Sequence, residues 1–291
     1  LQATSGTFSA DSTFNSVSVG KGANSVSQNT VVGQLALDAA VTGNYNTAFG
    51  YQTLTANTSG YDNTAVGTDA LMGNTTGAEN VAVGKMSLDA NTTGTKNVGV
   101  GKYTISTNTT GSRNTAVGDQ ALFASTTASD NTAVGMYAMK STTTGTYNVA
   151  VGTYSLDANT TGDKNVAVGY QAATSITTGT KNVAIGYVAS GDLTTAHNNT
   201  AIGDESLMTN TTGSDNTAVG RRSLKVNTAS SNSAFGADAL LANTTGQYNT
   251  ALGTYALQSN QTGINNTAVG YIALRDNTGN HNTAVGEEAL K

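Results

Sequence analysis

The side chains best suited to chemistry are few in this chain and stand apart. It has two His and no Cys among 291 residues, with 18 Asp and Glu against 13 Lys and Arg. The absence of Cys removes disulfides, thiolate metal sites and Cys nucleophiles together. His197 and His281 each stand without a second His or a carboxylate at ligand spacing, so neither a zinc site nor a general base has its partners. Asp62, Asp130 and Asp215 precede the same Asn in separate copies of a motif and read as solvated loop charges. Arg221-Arg222 reads as a solvated pair. A Lys-bearing Gly-rich phosphate loop, an EF-hand and an Asp-rich Ca²⁺ nonapeptide are all missing. The expectation is a protein that is not an enzyme and uses no cofactor and no metal.

Composition narrows the class further. The chain has 34 Gly, no Pro and no Trp, and its apolar 37% is mostly Ala, Val and Leu, which argues against a single thick core. Net charge is −5 with both signs interspersed, so no basic footprint for nucleic acid exists. The sequence has no apolar run long enough to span a membrane as a helix. It opens at Leu1 without Met and stops mid-repeat at Glu287-Glu288-Ala289-Leu290-Lys291, so the expectation is a processed chain or a fragment, with more sequence following.

What must position these residues is a repeat. The unit N-T-A-V-G recurs sixteen times, its Gly running from Gly33 to Gly286 at a spacing of seventeen with two steps of sixteen. Four residues before each Gly stands an Asn, including Asn46, Asn63, Asn80, Asn97, Asn114, Asn131, Asn148 and Asn165. Stacked on one another, these Asn are expected to hydrogen-bond along a ladder and tie the turn. The residue before Gly is always apolar, and the one before that is nearly always Ala (Val31 and Gly99 are the exceptions). Alternation along a strand puts these two on opposite faces. The larger set, with Val66, Val83, Val117 and Val134, is expected to fill the inside of a coil. The Asn, Ala and Gly column is expected to face another backbone surface.

After each Gly the third residue is small and the fourth is usually Leu, as at Leu71, Leu88 and Leu122. Four residues do not decide between a second strand and one helical turn. Two copies place Ala173 and Ser190 in the Leu slot and carry Ile176 and Leu193 three residues later, so apolar volume moves along the chain and is kept. N-T-T-G then returns the chain, its Asn and Gly suited to positive φ. The N-T-T runs also match N-glycosylation acceptors, but their density reads as a prokaryotic or viral turn repeat. The twelve Tyr occupy variable slots and are expected to cover the outer rim.

One turn per repeat predicts an all-β, parallel β-roll or β-helix solenoid with seventeen-residue rungs, about 4.8 Å apart and roughly 70–80 Å tall in all. Two sizeable side chains per rung are little to set against the entropy of ordering the rung. Neighbouring chains are therefore expected to cover the small-residue face, with a trimer preferred.

The first rungs add a resemblance. Asn15 to Gly20 reads N-S-V-S-V-G, and the thirteen residues on to Gly33 include N-S-V-S from Asn24 to Ser27. This is similar to the head repeat of YadA-like trimeric autotransporter adhesins. The later N-T-A-V-G and N-T-T-G array resembles the shaft repeats of phage tail-fibre-like and related trimeric adhesin proteins. The resemblance covers about residues 15 to 291 and divides the chain into a lead-in (1–14), short-period turns (15–33) and the repeat array (29–291). It implies a homotrimer of left-handed parallel β-rolls, an extracellular fibre on a cell surface or virion that binds a host or other surface. The longer period here predicts a different loop geometry, and a shared scaffold names no receptor or glycan. Two other functions are open. A ligand-binding ladder for a repetitive glycan or ice predicts an outward Thr plane on adjacent rungs. A glycan-degrading tailspike needs paired carboxylates in a groove, and the acids here are dispersed.

Overall fold

The computed structural model describes residues 11–291. These form two compact units, residues up to Asn131 and residues from Thr132 onward. Each is a parallel β-solenoid with coils of about seventeen residues. In the first unit, parallel strands run from β3 (Thr30–Gly33) through β4 (Thr47–Phe49), β5 (Thr64–Val66), β6 (Val81–Val83) and β7 (Val98–Val100) to β8 (Thr115–Val117). Pairing is without offset: Thr64 lies beside Val81 and Ala65 beside Ala82. In the second unit the same ladder runs from β9 (Thr132–Val134) to β18 (Thr283–Val285). The two sixteen-residue steps keep the register, since Thr217 pairs with Ser233 and Thr267 with Thr283. Among the described residues no helix is long and apolar enough to cross a membrane.

Ahead of the ladder the chain departs from the expected short-period turns. N-S-V-S-V-G contributes β2 (Val17–Gly20), which pairs antiparallel with both β1 (Ser12–Phe14) and β3. An antiparallel strand here covers the free edge of β3, which would otherwise offer unpaired backbone groups. Residues 1–10 of the expected lead-in lie outside the described residues.

Every side of a coil is bonded to its neighbours. The Thr64 N–H donates to Asn80 O (2.8 Å), and the Gly67 N–H to Phe49 O of the preceding coil (2.9 Å). On the other walls Leu71 donates to Ser87 O (3.0 Å) and Thr75 to Thr92 O (3.0 Å). The segment after each corner Gly is neither strand nor helical turn. It is a run of turns in which alternate residues take left-handed φ, 59° at Asp69 and 51° at Leu71. That reversal swings Leu71 into the coil, and Leu71, Leu88 and Leu122 are fully buried. So are Ile176 and Leu193, with Ala173 and Ser190 buried beside them, so the shifted apolar volume stays inside.

The strand faces are the reverse of the expectation. Ala65, Ala82, Ala116 and Ala133 are fully buried, whereas Val83, Val117 and Val134 are 37, 38 and 36% exposed and Val66 is half-buried. Width is the reason. Leu and the small residue before it reach across from the facing wall and leave room for little beyond a methyl group. At Gly99 even a Cβ would stand 2.5 Å from Ser87 Oγ and 2.9 Å from Thr104 Oγ1. Past the first coil, which holds Val31 buried in this slot, a Val in the Ala slot would overfill the coil, so Val turns outward. The small-residue face that was to meet a partner is the interior wall.

The corner Gly answers to φ and contact together. Gly67 has φ +130°, and a Cβ there would lie 2.8 Å from the Gly84 carbonyl carbon. Gly77 of N-T-T-G serves contact alone. It is absent from the left-handed region, as is Asn74, but a Cβ would meet Asn74 Oδ1 at 2.3 Å. The left-handed residue of that turn is Glu79, φ 59°.

Candidate functional site

The polar groups most deeply placed are the Asn columns. Asn46, Asn63, Asn80, Asn97, Asn114, Asn131, Asn148 and Asn165 are all buried. Asn63 Nδ2 donates to Gly77 O across the coil (2.9 Å) and to Asn46 Oδ1 (3.1 Å). Its own Oδ1 accepts the backbone N–H and the Nδ2 of Asn80, both at 3.1 Å. Asn97 and Asn148 repeat the cross-coil bond to Gly111 O and Gly162 O, each at 2.9 Å. One side chain thus ties two walls of a coil and the next coil. A buried amide with every capacity met stiffens a fold and is closed to ligands.

A second Asn ladder went unread in the sequence, although N-T-T-G repeats with the same period. Asn74 Nδ2 donates to Asn57 Oδ1 (2.9 Å) and to Gly77 O of its own turn (2.9 Å). Asn91 and Asn108 continue it. These Asn are the acceptors of the glycosylation-like triplets, and burial withholds them from modification in the folded chain. Beside them Thr75 and Thr92 donate their hydroxyls to carbonyls of the next coil. The second Thr of each turn stands exposed, in columns such as Thr76, Thr93 and Thr110 in the first unit and Thr144, Thr161 and Thr178 in the second.

The outward strand face carries the apolar column. Phe49 is 55% exposed and Leu252 49%. Neither outward column, Thr, Val or Ser after the Asn and Val, Ile, Leu or Phe before the Gly, holds a charge in any copy. Two rims border this face. One is the residue just before the Asn; the other is the pair just after the Gly. Ion pairs run along the first rim, with Lys96 near Glu79 (3.9 Å) and Arg113 on Asp130 (2.6 Å). The Arg113 hydrogen bond holds the Asp130 carboxyl below its ordinary range. Asp62, Asp130 and Asp215 lie on this rim and are not brought together.

On the second rim Arg221-Arg222 is not a solvated pair. Arg222 makes two hydrogen bonds, 2.8 and 2.9 Å, to Asp238, whose side chain is 1% exposed, and Arg221 adds a third at 3.2 Å. Inside the turn segment burial raises the Asp89 carboxyl, partly offset by a hydrogen bond from Ser106. Tyr rings line the second rim and stack on one another. Tyr170 and Tyr187 are parallel at 5.7 Å, and Tyr137 and Tyr154 lie 5.2 Å apart. His197 Nδ1 takes the Thr180 N–H at 3.0 Å. Among the described residues no group of three His, Asp or Glu gathers as a metal site would need. No family model, curated protein or solved structure matches the chain.

Proposed function

We propose that the chain is a structural, extracellular fibre segment, the shaft or head of a trimeric adhesin or phage tail fibre, in which three copies enclose their outward strand faces. The assembly presents its remaining surface for attachment to a host cell or another surface. The observation that carries this reading is the uncharged apolar column on the outward face, repeated on every coil of each unit. Contiguous exposed apolar surface of this kind marks an interaction site. Only a surface with the same spacing can match it coil after coil, and a second copy has that spacing. The interior supports the reading, because the Asn ladders and narrow Ala–Leu core consume its polar and apolar groups in building the coils of each unit. The likeness of the N-T-A-V-G and N-T-T-G array to tail-fibre and adhesin shaft repeats supports it as well. Light scattering with electron micrographs tests it. Thin rods of three chains are expected, and a compact 29.3 kDa monomer would overturn the proposal.

One observation favours a second reading, a ladder that binds a repetitive glycan or ice. The exposed Thr76, Thr93 and Thr110 line up on successive coils, spaced like the strands at about 4.8 Å. Replacing all three by Val and measuring glycan retention and ice recrystallisation separates it from the first.

A further inference from the structure

The break in the second Asn ladder at Ser125 leaves three hydrogen-bonding groups unmet around one slot of the first unit. In an intact coil the amide of that slot donates twice. Asn108 Nδ2 gives one proton to Asn91 Oδ1 of the preceding coil (2.7 Å) and one to Gly111 O of its own turn (3.0 Å). Gly111 O also accepts Asn97 Nδ2 (2.9 Å), so both its lone pairs are used. One coil further on the slot holds Ser125, which has no amide to give. Asn108 Oδ1 is therefore left without a donor. Ala128 O, the counterpart of Gly111 O, accepts Asn114 Nδ2 (2.8 Å) but no amide from its own turn. Ser125 Oγ has no partner among the described residues either. Asn108, Ser125 and Ala128 are all fully buried.

The slot keeps its size although its side chain is shorter. Thr109 donates to Thr126 O at 2.9 Å across the break, as Thr92 does to Thr109 O across an intact step (2.9 Å). The cross-coil bonds to Gly111 O and Ala128 O, 2.9 and 2.8 Å, show that the walls stand equally far apart in the two coils. Ser ends where the carboxamide of Asn would begin, so polar space remains between unchanged walls.

We infer that one buried water molecule occupies this slot, donating to Asn108 Oδ1 and Ala128 O and accepting the Ser125 hydroxyl proton. Its protons take over both bonds of the missing amide, and about three partners is usual for an internal water. A metal cation fits the slot poorly, since Ca²⁺ takes about six to eight oxygen ligands. The inference concerns the coil interior and is independent of the assembly proposed above. The second break supplies the contrast. There Ile176 fills the slot with apolar volume, and Asn159 Oδ1 stays without a partner. A water needs both room and several polar partners, so that slot is dry.

A crystal structure of the unaltered chain tests this. A density peak is expected about 2.7–3.1 Å from Asn108 Oδ1, Ser125 Oγ and Ala128 O, and none beside Asn159 Oδ1. Oxygen-17 relaxation dispersion of the solvent carries the test into solution. Ser125→Asn restores the amide and is expected to lose one long-lived internal water relative to the parent. Ser125→Ala keeps both acceptors but removes the hydroxyl, and is expected to shorten the residence time of that water. No peak in the parent, at a resolution that shows other buried waters, overturns the inference. So does an unchanged count of long-lived waters in Ser125→Asn, a like peak beside Asn159 Oδ1, or a peak ringed by six oxygens as a cation would be. The parent crystal answers by itself, so a variant that folds poorly does not blunt the test.

Discussion

The two Asn ladders lie in the same coils yet tolerate change differently. The ladder of N-T-A-V-G runs through all sixteen copies without a substitution. The ladder of N-T-T-G is broken at Ser125 and Thr142 and again at Ile176 and Leu193. The bonds explain the contrast. Asn80 serves groups outside its own turn, the Gly94 carbonyl across the coil and the backbone N–H of Asn97 in the next. Nothing apolar can take over those two tasks. Asn91 ties its own turn at Gly94 O and otherwise bonds only the side-chain amides of Asn74 and Asn108 in its own ladder. Where Ile176 replaces such an Asn, the Leu slot beside it shrinks to Ala173 and the volume balances. Asn108 and Asn159, each the last amide before a gap, keep a buried Oδ1 without a partner, as does Asn260 ahead of the final copy.

The largest effect expected from this contrast is between the ladders themselves. Asn80→Ala strands the buried Asn97 N–H and takes one of the two donors from the Gly94 carbonyl, and should cost about 2–4 kcal/mol of unfolding free energy. Asn74→Ala should cost about 1–3 kcal/mol. Equal losses in urea unfolding would break the distinction. Next comes the exchanged coil. Ala173→Leu overfills it, at about 1–3 kcal/mol, and Ile176→Asn removes the apolar plug. Made together they rebuild the common coil, so the double variant should be more stable than the sum of single losses predicts. Additive losses would show that the two slots do not share one space. A gain is expected at the first gap. Ser125→Asn supplies a donor for Asn108 Oδ1 and should stabilise by about 1 kcal/mol, read as a higher melting temperature.

The smallest effect lies outside both ladders, at Asp89. Burial raises its pKa in the folded state, so the folded chain holds the proton at pH values where the unfolded chain has released it. This contribution disfavours folding increasingly as pH rises from the ordinary aspartate range through the raised folded value. The stability of Asp89→Asn relative to the parent should therefore increase over that window. A flat difference between acid and neutral pH would remove the effect.

The repeat, its parallel stacking without offset and the inward Leu column are legible in the residue order, because a strict period admits few arrangements of the same contacts. Asn in one slot and apolar residues in another also announce which columns hold hydrogen bonds and which hold volume, as the exchange at Ala173 and Ile176 does on its own. Alternation separates Val from Ala but does not say which faces inward. That was decided by the width of the coil, set by Leu reaching over from the opposite wall, and a linear pattern carries no widths. The left-handed turns at Leu71 and Glu79 are likewise invisible from residue type, since neither favours positive φ. Stacked neighbours impose them. The buried Asp238 beneath Arg221 and Arg222 has the same origin, because its partners come from the preceding coil and only the three-dimensional stack brings them together.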